Sequence, residues 1–173
     1  MARYAALLRG VNVGGNKLSM PDLVRVVEGL GGRDVRTYVQ SGNVVFTGAK
    51  RVGAELEAAL LAEVGVPAAV LLRSATQLRQ IVAAKPFAAD GKAVSVTFLA
   101  TAPAAAAVKA IDPSAYGDDR FVVDGTEVYL HTPGGYGRSK LTNAFWEQKL
   151  STTATTRNWN TVTTLAEMTA DTG

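Results

Sequence analysis

The feature that most limits what this chain can become is that it runs through one order of elements twice. Arg73-Ser74, with Leu78 and Ile81 spaced behind it, is matched by Arg157-Asn158 with Val162 and Leu165 at the same offsets. Ahead of each of these anchors the pattern reads as strand, helix, two strands, helix and strand, and a further helix follows. Self-similarity of this kind marks one supersecondary unit copied in tandem. The 173 residues, 47% of them apolar, then divide into two halves, each near the lower size limit for independent folding.

In the first half, residues 3 to 11 alternate, with Tyr4, Ala6 and Leu8 on one side and Ala5, Leu7 and Arg9 on the other, which predicts a strand leading into a loop. Ser19-Met20-Pro21-Asp22 reads as a helix start: a hydroxyl cap, proline in the first turn and an acid three residues on. Met20, Leu23, Val27 and Leu30 form its apolar stripe, and Gly31-Gly32 stops it. Val35 to Gln40 and Asn43 to Thr47 are alternating runs joined by Ser41-Gly42, which predicts a two-residue hairpin pairing Val39 with Val44 and Thr37 with Phe46. A second amphipathic helix carries Val52, Leu56, Leu60 and Val64, a strand covers Ala68 to Arg73, and a helix with Leu78, Ile81 and Val82 ends before Pro86.

The second half repeats this. Val94, Val96 and Phe98 alternate in a strand, and an alanine-rich helix follows Pro103. A hairpin turns on Asp124-Gly125 with Phe121, Val123, Val128 and Leu130 facing one way. A helix starts near Ser139, Thr153 to Thr156 forms a short edge strand, and a last helix carries Val162, Leu165 and Met168. With right-handed crossovers and a central hairpin, each copy resolves into a split β-α-β sheet of strand order 4-1-3-2. The fold class is therefore α+β: a tandem duplication of a ferredoxin-like β-α-β-β-α-β unit, each followed by an extra helix, over residues 1–85 and 92–173 with a connector at 86–91.

That topology gathers two polar clusters. Arg9 to Lys17 holds three glycines, two asparagines and two cations without an acid, and the strand directions bring it to the hairpin tip at 40–43. Glycines free backbone N–H groups to turn toward a guest, and the cations make that guest an anion. Its candidate ligand-binding residues are Arg9, Asn12, Gly14, Gly15, Asn16 and Lys17, with Ser41 and Asn43 from the tip. The second cluster, at the opposite end of its own sheet, joins Arg138, Ser139 and Lys140 to Arg157 and Asn158. Cations at the positive end of a helix dipole are unfavourable unless something negative offsets them, which is the functional case for Arg138-Ser139-Lys140. Each motif also has a purely structural reading. The glycines can turn a corner, Arg9 can bond loop carbonyls, Ser41-Gly42-Asn43 can be a plain turn, and Arg157-Asn158-Trp159 can be a latch with Asn158 or Asn160 as a cap.

Several chemistries find no residues here. The chain has no cysteine, a single histidine, His131, and no His/Cys or carboxylate cluster for a metal, so neither a metal nor a cofactor is expected. No nucleophile elbow, Walker loop or dinucleotide fingerprint is present, and His131 reads as a strand-end residue. A net charge of +3 permits a nucleic-acid partner without demanding one. Without a ~20-residue apolar run or a signal peptide, the expected compartment is cytoplasmic. The expected function is binding of an anionic or phosphorylated small molecule. The alternatives are a single-stranded nucleic-acid binding module, for which Arg36, Tyr38 and Val45 would form the open sheet face, and an enzyme acting on a phosphorylated substrate. A monomer is expected, because duplication supplies internally what a dimer of single units would supply.

Four motifs, Leu7-Leu-Arg-Gly-Val-Asn-Val-Gly-Gly15, Thr37-Tyr-Val-Gln-Ser-Gly-Asn-Val-Val-Phe46, Arg138-Ser-Lys-Leu-Thr142 and Thr155-Thr-Arg-Asn-Trp-Asn-Thr161, occur in this order over nearly the whole chain. Together they resemble the bacterial domain-of-unknown-function family 1697. The resemblance implies an α+β protein of ferredoxin-like halves and brings no reaction, cofactor or catalytic set.

Overall fold

A computed structural model describes residues 2–12, 15–38, 42–88 and 93–170 of the chain. The order of elements is β1 (Arg3–Arg9), α1 (Met20–Gly29), β2 (Arg33–Thr37), β3 (Asn43–Thr47), α2 (Arg51–Val64), β4 (Ala69–Ser74) and α3 (Ala75–Ala83). It then repeats as β5 (Val94–Leu99), α4 (Ala105–Lys109), β6 (Arg120–Asp124), β7 (Glu127–His131), α5 (Asn143–Leu150), β8 (Ala154–Asn158) and α6 (Trp159–Ala170). Two four-stranded antiparallel sheets result, ordered β2-β3-β1-β4 and β6-β7-β5-β8, which is the 4-1-3-2 order of a ferredoxin-like unit in each. The chain divides into one unit of Met1–Gln80 with Thr163–Gly173 and another of Ile81–Val162.

Local chemistry explains most element ends. Ser19 Oγ accepts from the Asp22 N–H at 3.2 Å and caps α1, with Pro21 in its first turn. The stripe this cap launches buries Leu23, Val26 and Val27 against Leu56 and Leu60 of α2 and Val44 and Phe46 of β3. Each such side chain contributes about 1.5–3 kcal/mol on burial. In the second unit Trp146 of α5 sits among Leu99, Val128, Leu130 and Leu141, with Phe121 and Phe145 edge-on to it.

Three local expectations need correction. The first hairpin pairs Thr37 with Val44 and Arg36 with Val45, so its register is shifted by two from a two-residue turn. The reason lies in β1: the Gly42 carbonyl accepts from the Leu8 N–H at 2.8 Å, which continues the β1–β3 pairing past Asn43 and draws Gly42 out of the turn. A shift of two preserves which face each side chain takes, so the core is unaffected. The partner proposed for Val44, Val39, lies outside the described residues. In the second hairpin the ladder closes at Asp124 and Glu127, so the turn residues are Gly125 and Thr126. The third correction concerns α5, which starts at Asn143 under a Thr142 cap and not at Ser139.

The inner strands of each sheet are buried on both faces. Besides the helix-covered faces, Ala5, Leu7 and Val45 in the first unit and Val94, Val96 and Phe98 in the second are all 0% exposed. Tyr129 shares that second face, and burial, reinforced by the charges of Glu127 and Asp124, pushes its phenol from 10.0 up to about 12. A raised acid pKa stabilises the folded state below the unfolded value of 10.0 and loses that contribution as pH rises toward about 12. Ultraviolet titration should show a late phenol ionisation that Tyr129→Phe removes, and the same variant should flatten the fall in stability over that pH window. No helix among the described residues is long and apolar enough to cross a membrane.

Candidate functional site

The first corner is built where β1 ends. Asn12 is left-handed at φ 57, and its N–H donates to the Asn16 carbonyl at 2.6 Å, which closes a tight loop. The Asn12 side-chain oxygen accepts from the Leu18 N–H at 2.9 Å. Asn16 Nδ2 donates to the Gly10 and Pro67 carbonyls, each at 2.7 Å, and so ties the loop to the segment before β4. The Lys17 N–H donates to Gly15 O at 3.1 Å. The described amides of Asn12, Lys17 and Leu18 thus donate to the protein itself, and the backbone cradle expected of this loop is not formed by them.

The hairpin tip does meet the loop. Gly42 packs on Val11 and Leu8, and the buried Asn43 turns Nδ2 to the Tyr38 carbonyl at 2.9 Å. Arg9 is half-buried, with its Nε inside the structure. Gly14 and Ser41 lie outside the described residues. Lys17 is exposed and stands beside a surface depression lined with Asn12, Leu18, Ser19, Met20 and Pro21, of about 540 Å³. The acid closest to it in sequence, Asp22, is engaged by Arg25 at 2.9 Å, and that bond together with the one from Ser19 holds its carboxyl below the usual range.

The second corner differs from expectation more. Because α5 begins at Asn143, Arg138 ends a short 3-10 turn, Tyr136–Arg138, and Lys140 precedes the helix without joining it. Ser139 Oγ donates to Asp119 Oδ2 at 2.7 Å and accepts from the Leu141 N–H at 3.0 Å. The segment is acid-free along the chain, yet the fold brings a carboxylate to its middle. Asp119 lies twenty residues upstream, and no local pattern announces it. The amides here are again engaged: Gly135 donates to Thr132, Arg138 to Gly135 and Ser139 to Tyr136. Arg138 and Lys140 are exposed.

Arg157 joins this end of the sheet from β8 but is only 7% exposed, its Nη1 donating to Thr155 Oγ1 at 2.7 Å and the Thr156 carbonyl at 3.0 Å. Burial pushes its pKa down to about 10, opposed by Tyr136, so the guanidinium is still a cation at neutral pH. Asn158 Oδ1 accepts from the Thr161 N–H at 2.8 Å and caps α6, the latch reading of that segment. Trp159 is buried behind it, under the ammonium of Lys85. His131 ends β7 with Phe87 at its ring, 5.5 Å between centroids. Among the described residues no group of three or more His, Cys, Asp or Glu could hold a metal.

Two ferredoxin-like sheets in tandem, each with basic loops at one end, define an α+β duplicated protein. The chain belongs to the family described as "Protein of unknown function (DUF1697)", whose pattern it matches over residues 1–129. That span covers the whole first corner and ends before the second. In three dimensions it is similar to a conserved bacterial protein from Streptococcus pneumoniae, with a TM-score of 0.75 over 99% of both chains at 22% identity. At that identity the likeness establishes the fold alone. Among curated proteins none matches the chain.

Proposed function

We propose that the protein binds an anionic small molecule, with the β1–α1 corner of the first unit as the receptor and Lys17 as its charge. The observation that carries this reading is the position of Lys17: exposed, at the rim of the depression, two residues ahead of the cap of a ten-residue helix. A cation at the positive end of a helix raises the local potential, and a phosphate or carboxylate lowers it again. The neighbouring carboxylate of Asp22 is turned to Arg25, which leaves the ammonium available. This site relies on a side chain and a helix end, since the amides of Asn12, Lys17 and Leu18 are engaged.

The second corner is the weaker receptor, because Asp119 sits at Ser139 and repels an anion there. Nucleic-acid binding on a sheet face is the weaker reading: Arg36 is exposed but pairs with Asp34, and Tyr38 is half-buried. Stacking needs exposed platforms, and Val45, Val96 and Phe98 are fully buried.

The test is a titration with inorganic phosphate followed by amide chemical shifts, against sodium chloride of equal ionic strength. Saturable shifts confined to residues 15–23 are expected, and Lys17→Ala should weaken them about tenfold or more, as loss of one charge-assisted contact implies. Shifts that never saturate, or that survive Lys17→Ala unchanged, reject the site.

A further inference from the structure

Each ferredoxin-like sheet has two edge strands, and three of the four are protected. In β2 the ladder is interrupted between Arg33 and Arg36, Asp34 is left-handed at φ 49, and Arg36 pairs with Asp34 at 3.5 Å. In β4 the Val70 N–H donates to Glu57 Oε1 at 2.6 Å, and in β8 the Ala154 N–H donates to Glu147 Oε2 at 3.1 Å. Bulges, charges and side-chain caps of this sort are how edges avoid further pairing. The fourth edge, β6, has neither a bulge nor a side-chain cap, and its charges, Arg120 and Asp124, stand at its two ends. Its five residues pair with β7 in unbroken register, and Val122 at its centre is 40% exposed, one of two large apolar side chains exposed among the described residues.

The pairing pattern fixes which backbone groups of β6 point outward. Leu99 N donates to Thr126 O and Thr132 N to Ala93 O, so the even-numbered residues of the β7 region bond to β5. Glu127, Tyr129 and His131 therefore bond to Asp124, Val122 and Arg120. The N–H and C=O groups of Phe121 and Val123 face away from the sheet.

We infer that β6 is the interface for a second copy of this chain, joined by antiparallel pairing about a two-fold axis through Val122. In that register Phe121 of one copy pairs with Val123 of the other, so the outward groups bond to one another. Val122 then meets Val122 on the axis in a non-hydrogen-bonded pair, the kind with Cα atoms about 4.5 Å apart and side chains closest. The same register sets Arg120 across from Asp124 at both ends of the strand. The strand is thus self-complementary in hydrogen bonds, in apolar contact and in charge, as an isologous contact requires. Arg120 uses Nη1 on the Gly117 and Asp119 carbonyls, and its remaining donors can reach a carboxylate. The contact is shorter than the ~1,200 Å² of a stable dimer, so association is weak and concentration-dependent.

Sedimentation velocity on the full chain, from micromolar to millimolar concentration, tests this. The wild type should move from monomer toward dimer. Arg120→Asp and Asp124→Arg each place like charges across the axis, and each should weaken association about tenfold or more. An equimolar mixture of these two variants restores opposite charges at both ends and should form a heterodimer with near wild-type affinity. Val122→Lys, at an exposed position outside the core, should also give a monomer, with an unchanged circular dichroism spectrum. The inference is overturned by a wild type that stays monomeric at millimolar concentration, including one that instead takes up an added strand-forming peptide. It is equally overturned if the charge variants dimerise as well as the wild type, or if their mixture associates no better than either alone.

Discussion

Trp146→Ala is expected to destabilise the second unit by about 3–5 kcal/mol, the range for deleting a fully buried aromatic side chain. Trp146 is 0% exposed, with the rings of Phe145 and Phe121 edge-on at 4.9 and 5.1 Å between centroids. No other side chain in that core is as large, so nothing nearby can fill the space it leaves. Its indole N–H is buried with no hydrogen-bond partner among the described residues. An unsatisfied buried donor costs about 1–3 kcal/mol, and Trp146→Phe removes that penalty along with part of the ring. Urea unfolding followed by circular dichroism should therefore place Trp146→Phe much nearer the wild type than Trp146→Ala. Equal losses in the two variants would mean that the N–H is satisfied and that ring volume alone matters.

The second large effect is expected at Gly42. It adopts φ +87, and a β-carbon there would lie 2.7 Å from Val11 Cγ2 and 2.9 Å from Leu8 Cβ. Gly42→Ala combines left-handed strain of about 1–2 kcal/mol with overpacking of about 1–3 kcal/mol, roughly 2–5 kcal/mol in all. Gly15 is the natural control, since it shares φ +87 but an added β-carbon would meet nothing within 4 Å. Gly15→Ala should show the strain without the clash, about 1–2 kcal/mol. Hydrogen exchange gives a local readout, because the Leu8 amide donates to the Gly42 carbonyl and should exchange faster in Gly42→Ala alone. If the two variants lose the same stability, the contact between hairpin tip and loop contributes nothing.

These two positions differ in how visible they are beforehand. That Trp146 and Phe145 are apolar is plain along the chain, but the helix pattern around Ser139 suggested a start four residues too early. Ser139 has the chemistry of a cap, and the structure engages it with Asp119, leaving the cap to Thr142. Ser19 shows the opposite case: its cap, the proline and the acid lie within four residues, and helix and cap form where they are expected. The strand order was equally legible, because alternation, a tight hairpin and right-handed crossovers admit few arrangements.

The candidate site was legible in composition and not in wiring. Gathering of Arg9 to Lys17 at the hairpin tip follows from strand direction, and the packing of Gly42 on Val11 realises it. Where each polar group of the loop points could not be read, because its partners come from elsewhere. Asn16 reaches Pro67, 51 positions away, and Asn43 turns to Tyr38 across the hairpin. Those contacts convert asparagines that look like ligands into struts, and leave Lys17 as the exposed cation of the corner.

Periodicity, capping residues and the repeated Arg73 and Arg157 segments were enough to determine the elements, their order and the doubling of the unit, since each depends on neighbours within a turn or a strand. Tertiary structure alone decided the hairpin register, the true start of α5, the engagement of the Asn12, Lys17 and Leu18 amides and the openness of the β6 edge. Each of these is a competition for hydrogen-bond partners between segments distant in sequence, and a hydrogen-bonding group carries no mark of which distant partner will claim it.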